Sequence, residues 1–298
     1  MKTRSTVANL VVSLRPEQWT KNLIVFAALI FAVKLLDPAA LALATAAFLI
    51  FCALSGAVYL INDVSDREAD RQHPLKRMRP IASGALAPST AVTVALVLIV
   101  VGLAAAYALR LSFGMAATAY VALVVLYSRA LKHVVILDVM AIAIGFVLRA
   151  VAGGLVIGVP ISDWLLVCTI LGALFLGLAK RRHELTLLAD GATGHRRILE
   201  EYDPYLLDQM IAVVAASTLV AYIIYCASPE TAEKFGTRWL VLTTPFPIYG
   251  IFRYLYLVHR KHGGGSPSDL LLRDRPLLGC VALWGLAIVL IIYRPYAS

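Results

Sequence analysis

Apolar stretches long enough to cross a lipid bilayer recur along almost the whole chain, and this recurrence restricts the fold more than any other feature. Hydrophobic residues make up 60% of the 298 residues, whereas a soluble domain uses roughly 45–50%. A membrane-spanning helix needs roughly 20 apolar residues, and its backbone groups must pair with one another inside the hydrocarbon. The sequence therefore predicts an all-α, polytopic membrane protein with one domain over residues 1–298.

The apolar pattern divides into nine predicted transmembrane helices, with boundary errors of several residues. An odd number of spans places the two termini on opposite sides of the membrane. The predicted spans are 19–36, 40–61, 88–108, 112–130, 134–157, 163–179, 206–227, 239–257 and 277–294.

Lysine and arginine are distributed unevenly between the two faces that this topology creates. The N-terminus and the loops 62–87, 131–133, 180–205 and 258–276 share one face, which carries 20 of the 27 basic residues, against 5 on the other face. Because basic residues accumulate on the cytoplasmic side, we predict a multi-pass protein of the cell membrane whose active face is cytoplasmic. The net charge of +9 then suits anionic head groups or anionic substrates, and no nucleic acid is expected as a partner.

The most informative motif directly follows the second predicted span and reads N-D-V-S-D-R-E-A-D at residues 62–70. On a continuous helix, Asp63, Asp66 and Asp70 share one face, with Asn62 beside them. Carboxylates this close repel one another unless a cation lies among them, and Mg²⁺ accepts carboxylate together with diphosphate oxygens. We predict that the three aspartates form a catalytic metal site for a Mg²⁺–diphosphate. The alternative is a solvated acidic helix end.

Basic side chains follow this acidic motif and recur after the sixth predicted span. Residues 71–84 read R-Q-H-P-L-K-R-M-R-P-I-A-S-G, and residues 180–184 read K-R-R-H-E. Cationic groups there can neutralise phosphate oxygens that the metal does not reach, although charge that only sets the topology is the alternative.

Several polar residues lie at or inside the ends of the predicted spans. Lys21, Asn22 and Lys132 lie at cytosolic span ends, from which they either reach the same cavity or extend to the lipid head groups. Asp138 and Arg149 are ionisable groups within the fifth span and are functional candidates for that reason, with a buried structural cation as the alternative for Arg149. About 16 Å separates the two along a helix, which is too far for direct pairing.

These motifs together resemble the UbiA prenyltransferase superfamily. The N-D-x-x-D-x-x-x-D motif with the following R-P-I-A-S-G turn is similar to its first aspartate-rich motif, and its members form a bundle of nine spans. The prenyl-diphosphate branch carries a second D-x-x-x-D motif after the sixth span, where this chain has K-R-R-H-E. That departure is similar to the decaprenyl-phosphate phosphoribosyltransferase branch, as are R-P-E-Q-W-T-K-N at 15–22 and Y-S-R-A-L-K at 127–132.

The resemblance implies transfer of 5-phosphoribose from phosphoribosyl diphosphate to a polyprenyl (decaprenyl) phosphate, with Mg²⁺ as cofactor, for the lipid-linked donor used in cell-wall arabinan synthesis. Several anionic groups then need cationic partners beyond the metal. A homo-oligomer is left open. The predicted substrate-binding residues are Lys21, Asn62, Arg67, Arg71, Lys76, Arg79, Tyr127, Lys132, Lys180, Arg181, Arg182 and Glu184.

Two other functions stay open at the level of the sequence. A UbiA-type enzyme that prenylates an aromatic or haem precursor would need a second group of metal-binding carboxylates, for which Glu184, Asp190, Glu200 and Glu201 are the nearby candidates. A secondary transporter would account for the spans and for Arg149. It would not require an aspartate cluster with basic residues on the same face, and interrupted helices would be expected.

Overall fold

The structure is a computed structural model that describes residues 5–73, 76–189, 201–260 and 267–294. Residues 74–75, 190–200 and 261–266, within the three long predicted loops, lie outside the described residues. The described part of the chain contains α-helices and short 3₁₀ segments and no strand, which confirms the predicted all-α class. The α-helices are α1 (Thr6–Ser13), α2 (Ala27–Phe31), α3 (Pro38–Ser65), α4 (Arg67–Gln72), α5 (Pro88–Leu109), α6 (Leu111–Arg129), α7 (Leu137–Ile157), α8 (Asp163–Ala189), α9 (Pro204–Ala227), α10 (Pro229–Phe235), α11 (Pro245–Arg260), α12 (Pro267–Arg273) and α13 (Arg275–Tyr293).

Seven helices in the described part are long and apolar enough to cross a membrane, namely α3, α5, α6, α7, α8, α9 and α13. The predicted spans 19–36 and 239–257 are interrupted instead. A 3₁₀ segment over Pro16–Phe26 precedes the short α2, and a second one over Trp239–Thr243 precedes α11. Proline at the start of α11 donates no backbone hydrogen bond to the preceding turn. The protein is a multi-pass membrane protein, but the predicted count of nine continuous helices is not confirmed.

Aspartate caps determine where several helices begin. Asp37 accepts a hydrogen bond from the backbone N–H of Ala39 at 3.0 Å, and Asp203 accepts one from Tyr205 at 3.0 Å. Each of these caps is followed directly by proline, which suits the first helical position because no N–H is needed there. These local signals explain why α3 and α9 start close to the predicted boundaries.

Consecutive long helices pack against each other, and the first membrane segment lies between two of them. α3 packs on α5, α5 on α6, α6 on α7, α7 on α8 and α8 on α9. The N-terminal 3₁₀ segment contacts both α3 and α7, and α12 also packs against it. At the other end, the hydroxyl of Tyr293 in α13 accepts a hydrogen bond from the backbone N–H of Leu35 at 2.9 Å. The first and last membrane segments are therefore neighbours.

Gly153 lets α7 and the N-terminal 3₁₀ segment touch through their backbones. A Cβ at Gly153 would lie 2.1 Å from the carbonyl oxygen of Val25, whereas a Cβ at Gly172 in α8 would meet nothing within 4 Å. We expect Gly153→Ala to lower the free energy of unfolding in detergent by about 1–3 kcal/mol, the usual cost of overpacking. Gly172→Ala is the matched control. Thermal unfolding followed by circular dichroism tests this, and equal stability of the two variants would contradict the close approach.

Candidate active site

The acidic motif lies where α3 ends and α4 begins. α3 runs through Ser65, Asp66 joins the two helices, and α4 starts at Arg67. Asp63 and Asp70 are both buried at 3% exposure. They therefore lie on the same inward-facing side of this nearly continuous helical course, as the spacing predicted. The side chain of Asp66 keeps 44% of its surface exposed. The motif is thus two buried carboxylates with a third at their solvent-facing edge.

Each of the three aspartates has a cationic partner. Arg79 Nη1 donates to Asp63 Oδ1 at 3.2 Å and to Asp70 Oδ2 at 2.6 Å. Arg15 Nη2 also donates to Asp63 Oδ1, at 2.5 Å, and Lys132 Nζ lies 3.6 Å from Asp66 Oδ1. Buried charges are tolerated when they are paired and hydrogen-bonded in this way. The predicted residues Arg79 and Lys132 therefore do meet the acidic motif.

The donor set fits a divalent cation, although the carboxylates do not form a ready-made metal cage. Among the described residues, no three His, Cys, Asp or Glu side chains are grouped closely enough to hold a metal ion. Asp63 and Asp70 nevertheless each direct one oxygen to the same Arg79 nitrogen. Carboxylate oxygens that converge on one positive centre are the ligands that Mg²⁺ prefers. The assignment of a metal to Asp63, Asp66 and Asp70 stays a prediction that requires Arg79 to move.

The remaining predicted residues near this motif have different surroundings. Arg71 Nε donates to the carbonyl oxygen of Ala82 at 3.1 Å, and its Nη1 pairs with the exposed Glu68 at 3.1 Å. Arg67 Nε is buried and has no hydrogen-bond partner among the described residues. Three further predicted residues lie nearby in sequence, with Asn62 in the last turn of α3, Lys76 in a 3₁₀ turn after α4 and Lys21 in the N-terminal 3₁₀ segment.

Arg15 and Tyr59 lie beside the acidic motif, although the sequence did not predict them as site residues. Arg15 adopts a left-handed backbone conformation with φ of 53°, directly before Pro16. Its guanidinium lies 4.7 Å from the ring centre of Tyr59, within cation–π range, while it donates to Asp63. The only sequence signal was the position of Arg15 at the head of the R-P-E-Q-W-T-K-N motif.

Arg181 lies at the centre of a second polar cluster, which joins α6, α7 and α8. It is only 1% exposed. Its Nε donates to Asp138 Oδ2 at 2.6 Å, its Nη2 donates to the hydroxyl of Tyr127 at 3.2 Å, and its Nη1 pairs with Glu184. Arg181 therefore contacts two other predicted substrate-binding residues, Tyr127 and Glu184. Because the Arg181 guanidinium already has two carboxylate partners, its role as a phosphate ligand stays an untested prediction.

The three basic residues at 180–182, which open the K-R-R-H-E sequence, do not all have the same partner. Lys180 Nζ lies 3.8 Å from Glu184 Oε1, whereas Arg182 Nε donates to Asp208 Oδ1 on α9 at 3.0 Å. Consecutive residues on an α-helix are rotated by about 100°, so side chains 180, 181 and 182 cannot share one face. The sequence analysis grouped the three residues as one set of cations, whereas in the structure Arg182 pairs with a different carboxylate from the other two.

Asp138 and Arg149, the two ionisable residues inside the fifth predicted span, do not pair with each other, as their spacing predicted. Asp138 is fully buried against Arg181. Arg149 donates to Asn22 Oδ1 at 2.8 Å and to the Tyr120 hydroxyl at 2.7 Å. Among the described residues no carboxylate forms a salt bridge with Arg149. Its hydrogen bonds link α7 to α6 and to the N-terminal 3₁₀ segment, and Asn22 is therefore buried rather than at a cavity rim.

An aromatic prenyltransferase would need a group of carboxylates after the sixth predicted span, and the structure describes two of the four candidates. Glu184 pairs with Lys180 and Arg181, and Glu201 is exposed. Asp190 and Glu200 lie outside the described residues. In the described part of this region, the basic side chains of Lys180, Arg181 and Arg182 pair with Asp138, Glu184 and Asp208.

The sequence is similar over nearly its whole length to bacterial enzymes named decaprenyl-phosphate phosphoribosyltransferase. It is 34% identical to the one from Mycolicibacterium smegmatis, covering 94% of this chain and 91% of the relative. Identity to the Mycobacterium tuberculosis enzyme is 36%, with 93% and 92% covered. Identity to the Corynebacterium glutamicum enzyme is 32%, with 95% and 86% covered.

Fold and family agree with this similarity. A UbiA homolog from Archaeoglobus fulgidus, solved with DMAPP and Mg²⁺, superposes with a TM-score of 0.71 at 19% identity and covers 96% of this chain and 99% of that one. Identity this low supports the shared helical fold alone. The model of the UbiA prenyltransferase family matches residues 22–269, which include both polar motifs. With the acidic motif at the end of α3 and the full-length relatives, these findings establish that the chain belongs to the UbiA prenyltransferase family.

Proposed function

We propose that this protein transfers a 5-phosphoribosyl group from phosphoribosyl diphosphate to a polyprenyl phosphate and releases diphosphate, with decaprenyl phosphate as the expected lipid. The observation that carries the proposal is the 32–36% identity, over most of the chain, to enzymes with that name. The site supports it, because basic side chains lie beside each carboxylate of the acidic motif and can contribute to binding anionic substrates. The product would be a lipid-linked phosphoribose for cell-wall arabinan (arabinogalactan) synthesis.

The leaving diphosphate would bind at the acidic motif. Mg²⁺ held by Asp63, Asp66 and Asp70 would neutralise the charge that develops on the leaving group. Arg79 and Lys132, which pair with these carboxylates in the structure, would turn to the phosphate oxygens once the metal takes their place. Preorganised cations of this kind stabilise developing negative charge most strongly in a site shielded from water.

The acceptor needs no general base. The oxygen of a polyprenyl phosphate is an anion near neutral pH, so it can attack C1 of the ribose directly while the bond to diphosphate breaks. The protein's task is then to hold the two polyanions next to each other despite their repulsion. Lys180 and Arg182, at the cytosolic end of α8, are the cations outside the acidic motif that we assign to the remaining phosphates.

The membrane helices would position the lipid acceptor. Their exposed apolar surface keeps the isoprenoid tail in hydrocarbon, while the phosphate stays at the end of the bundle where the basic residues accumulate. Because basic residues mark the cytoplasmic side, the active face would be the cytoplasmic face of the cell membrane. Phosphoribosyl diphosphate is made in the cytosol, so this orientation gives it direct access.

A transfer assay with purified protein tests the proposal. Phosphoribosyl diphosphate labelled in the ribose is incubated with decaprenyl phosphate, detergent and Mg²⁺, and we expect label in the lipid fraction. Chelation of divalent ions should abolish the transfer. Prenylation of 4-hydroxybenzoate from a prenyl diphosphate, or uptake into proteoliposomes without any chemistry, would overturn the proposal in favour of the prenyltransferase or the transporter.

A further inference from the structure

The connection between α6 and α7 contains a strained turn at Ile136. Ile136 has φ of 70° and ψ of −46°, and the N–H of Leu137 donates to the carbonyl oxygen of Val135 at 2.8 Å. This is a γ-turn with positive φ, a rare conformation. A β-branched residue at positive φ is an outlier that persists only where the surroundings hold it. Something must therefore keep Ile136 in place.

The hydroxyl of Tyr202, a residue distant in sequence, hydrogen-bonds to this turn. It accepts a hydrogen bond from the backbone N–H of Ile136 at 2.8 Å and donates one to Asp138 Oδ1 at 2.8 Å. Asp138 is fully buried, and its other oxygen accepts from Arg181. Burial raises the pKa of Tyr202 to about 12, so the hydroxyl stays protonated and can make both bonds. The strained turn is thus bonded into the Arg181 cluster.

The same connection carries residues of the proposed substrate site. Lys132 lies four residues before Ile136 and meets Asp66 at 3.6 Å. Tyr127, at the end of α6, accepts from Arg181. Only three residues separate Lys132 from Ile136, so a change of conformation at Ile136 can displace Lys132 relative to Asp66. The acidic motif and the polar cluster around Arg181 are linked through this turn.

We propose that Tyr202 is a positioning residue, whose hydroxyl locks the strained turn at Ile136 and thereby sets where Lys132 meets the acidic motif. The inference rests on the proposed function only for the identity of the substrate. Without the hydroxyl, the N–H of Ile136 and Asp138 Oδ1 each lose a partner, and the turn relaxes to a more usual backbone conformation. Lys132 then no longer meets the diphosphate in the same place.

The test compares Tyr202→Phe with a rescue variant. Tyr202→Phe removes both hydrogen bonds of the hydroxyl. We expect it to raise the KM for phosphoribosyl diphosphate about tenfold, a change of the size that a net hydrogen-bond contribution gives. Adding Ile136→Gly should bring the KM back to within about threefold, because glycine adopts positive φ without strain. Tyr205→Phe, at an exposed tyrosine three residues away, is the matched control and should leave the KM unchanged. A purely structural role would lower the melting temperature without moving the KM, and Ile136→Gly would then add to the damage.

Hydrogen–deuterium exchange separates this inference from the proposed function. Tyr202→Phe should accelerate exchange in the peptide that covers residues 131–138, because the Ile136 amide loses its acceptor. Unchanged exchange there would overturn the inference, whatever the enzyme's activity. Faster exchange with an unchanged KM would overturn the positioning role. Absence of phosphoribosyl transfer by the unmodified protein would overturn the proposed function. The exchange result would then still show whether Tyr202 stabilises the turn at Ile136.

Discussion

Asp66→Asn is expected to reduce phosphoribosyl transfer by at least about 100-fold, the usual cost of removing a group that stabilises charge on a leaving group. Folding should be nearly unaffected. The Asp66 side chain is 44% exposed, and its ion pair with Lys132 spans 3.6 Å. Pairs of this kind contribute at most about 1 kcal/mol. Steady-state kinetics and thermal unfolding in detergent, measured on the same preparation, test both halves of the expectation.

The neighbouring Glu68 provides the matched control. It belongs to the same acidic motif, its side chain is 74% exposed, and it pairs with Arg71. Glu68→Gln removes the same charge without touching the predicted metal ligands and should retain activity within about twofold. Near-normal turnover in Asp66→Asn, or an equal loss in Glu68→Gln, would refute the metal assignment.

Asp63→Asn is a less specific test of the same site. Asp63 is buried and accepts hydrogen bonds from both Arg15 and Arg79. Loss of its charge leaves two cations short of a partner, which is costly in a buried environment. We therefore expect this variant to lose stability as well as activity, so its inactivity alone would not identify a metal ligand.

Asp138→Asn is expected to lower the free energy of unfolding by about 3 kcal/mol, because it removes one partner of a buried ion pair. Asp138 and Arg181 are 0% and 1% exposed, and Arg181 Nε donates to Asp138 Oδ2 at 2.6 Å. The amide of asparagine can retain one hydrogen bond with Arg181. The positive charge of Arg181 would then be balanced by Glu184 alone. Thermal or denaturant unfolding in detergent measures the loss.

The adjacent pair between Arg182 and Asp208 supplies an internal comparison. It has similar geometry at 3.0 Å, but its side chains are 24% and 38% exposed. Solvent screens such a pair, so Asp208→Asn should cost less than about 1 kcal/mol. If both substitutions proved equally mild, Arg181 would not be a buried structural cation, and its direct contact with a substrate phosphate would be favoured again.

The residue types expected at the site could be predicted from the sequence, but the contacts between them could not. The i, i+3 and i+7 spacing of Asp63, Asp66 and Asp70 needs only the local helix, which the structure contains with a junction at Asp66. The pairing of Arg15 with Asp63 joins residues 48 positions apart. No local pattern encodes such a contact, because it depends on how the N-terminal 3₁₀ segment packs against α3 and α7.

The sequence by itself determined the helical membrane class, most span boundaries and the residue types of the site, because hydrophobic length, helix caps and helical periodicity are local properties. The tertiary structure decided which of these residues can meet. Lys180, Arg181 and Arg182 are consecutive, and the first two share Glu184. Helix rotation and the packing of α7 and α9 nevertheless give Arg181 a second partner in Asp138 and direct Arg182 to Asp208. A basic side chain that already pairs with a nearby carboxylate is less available to a phosphate. The position of that carboxylate depends on how helices distant in sequence pack together.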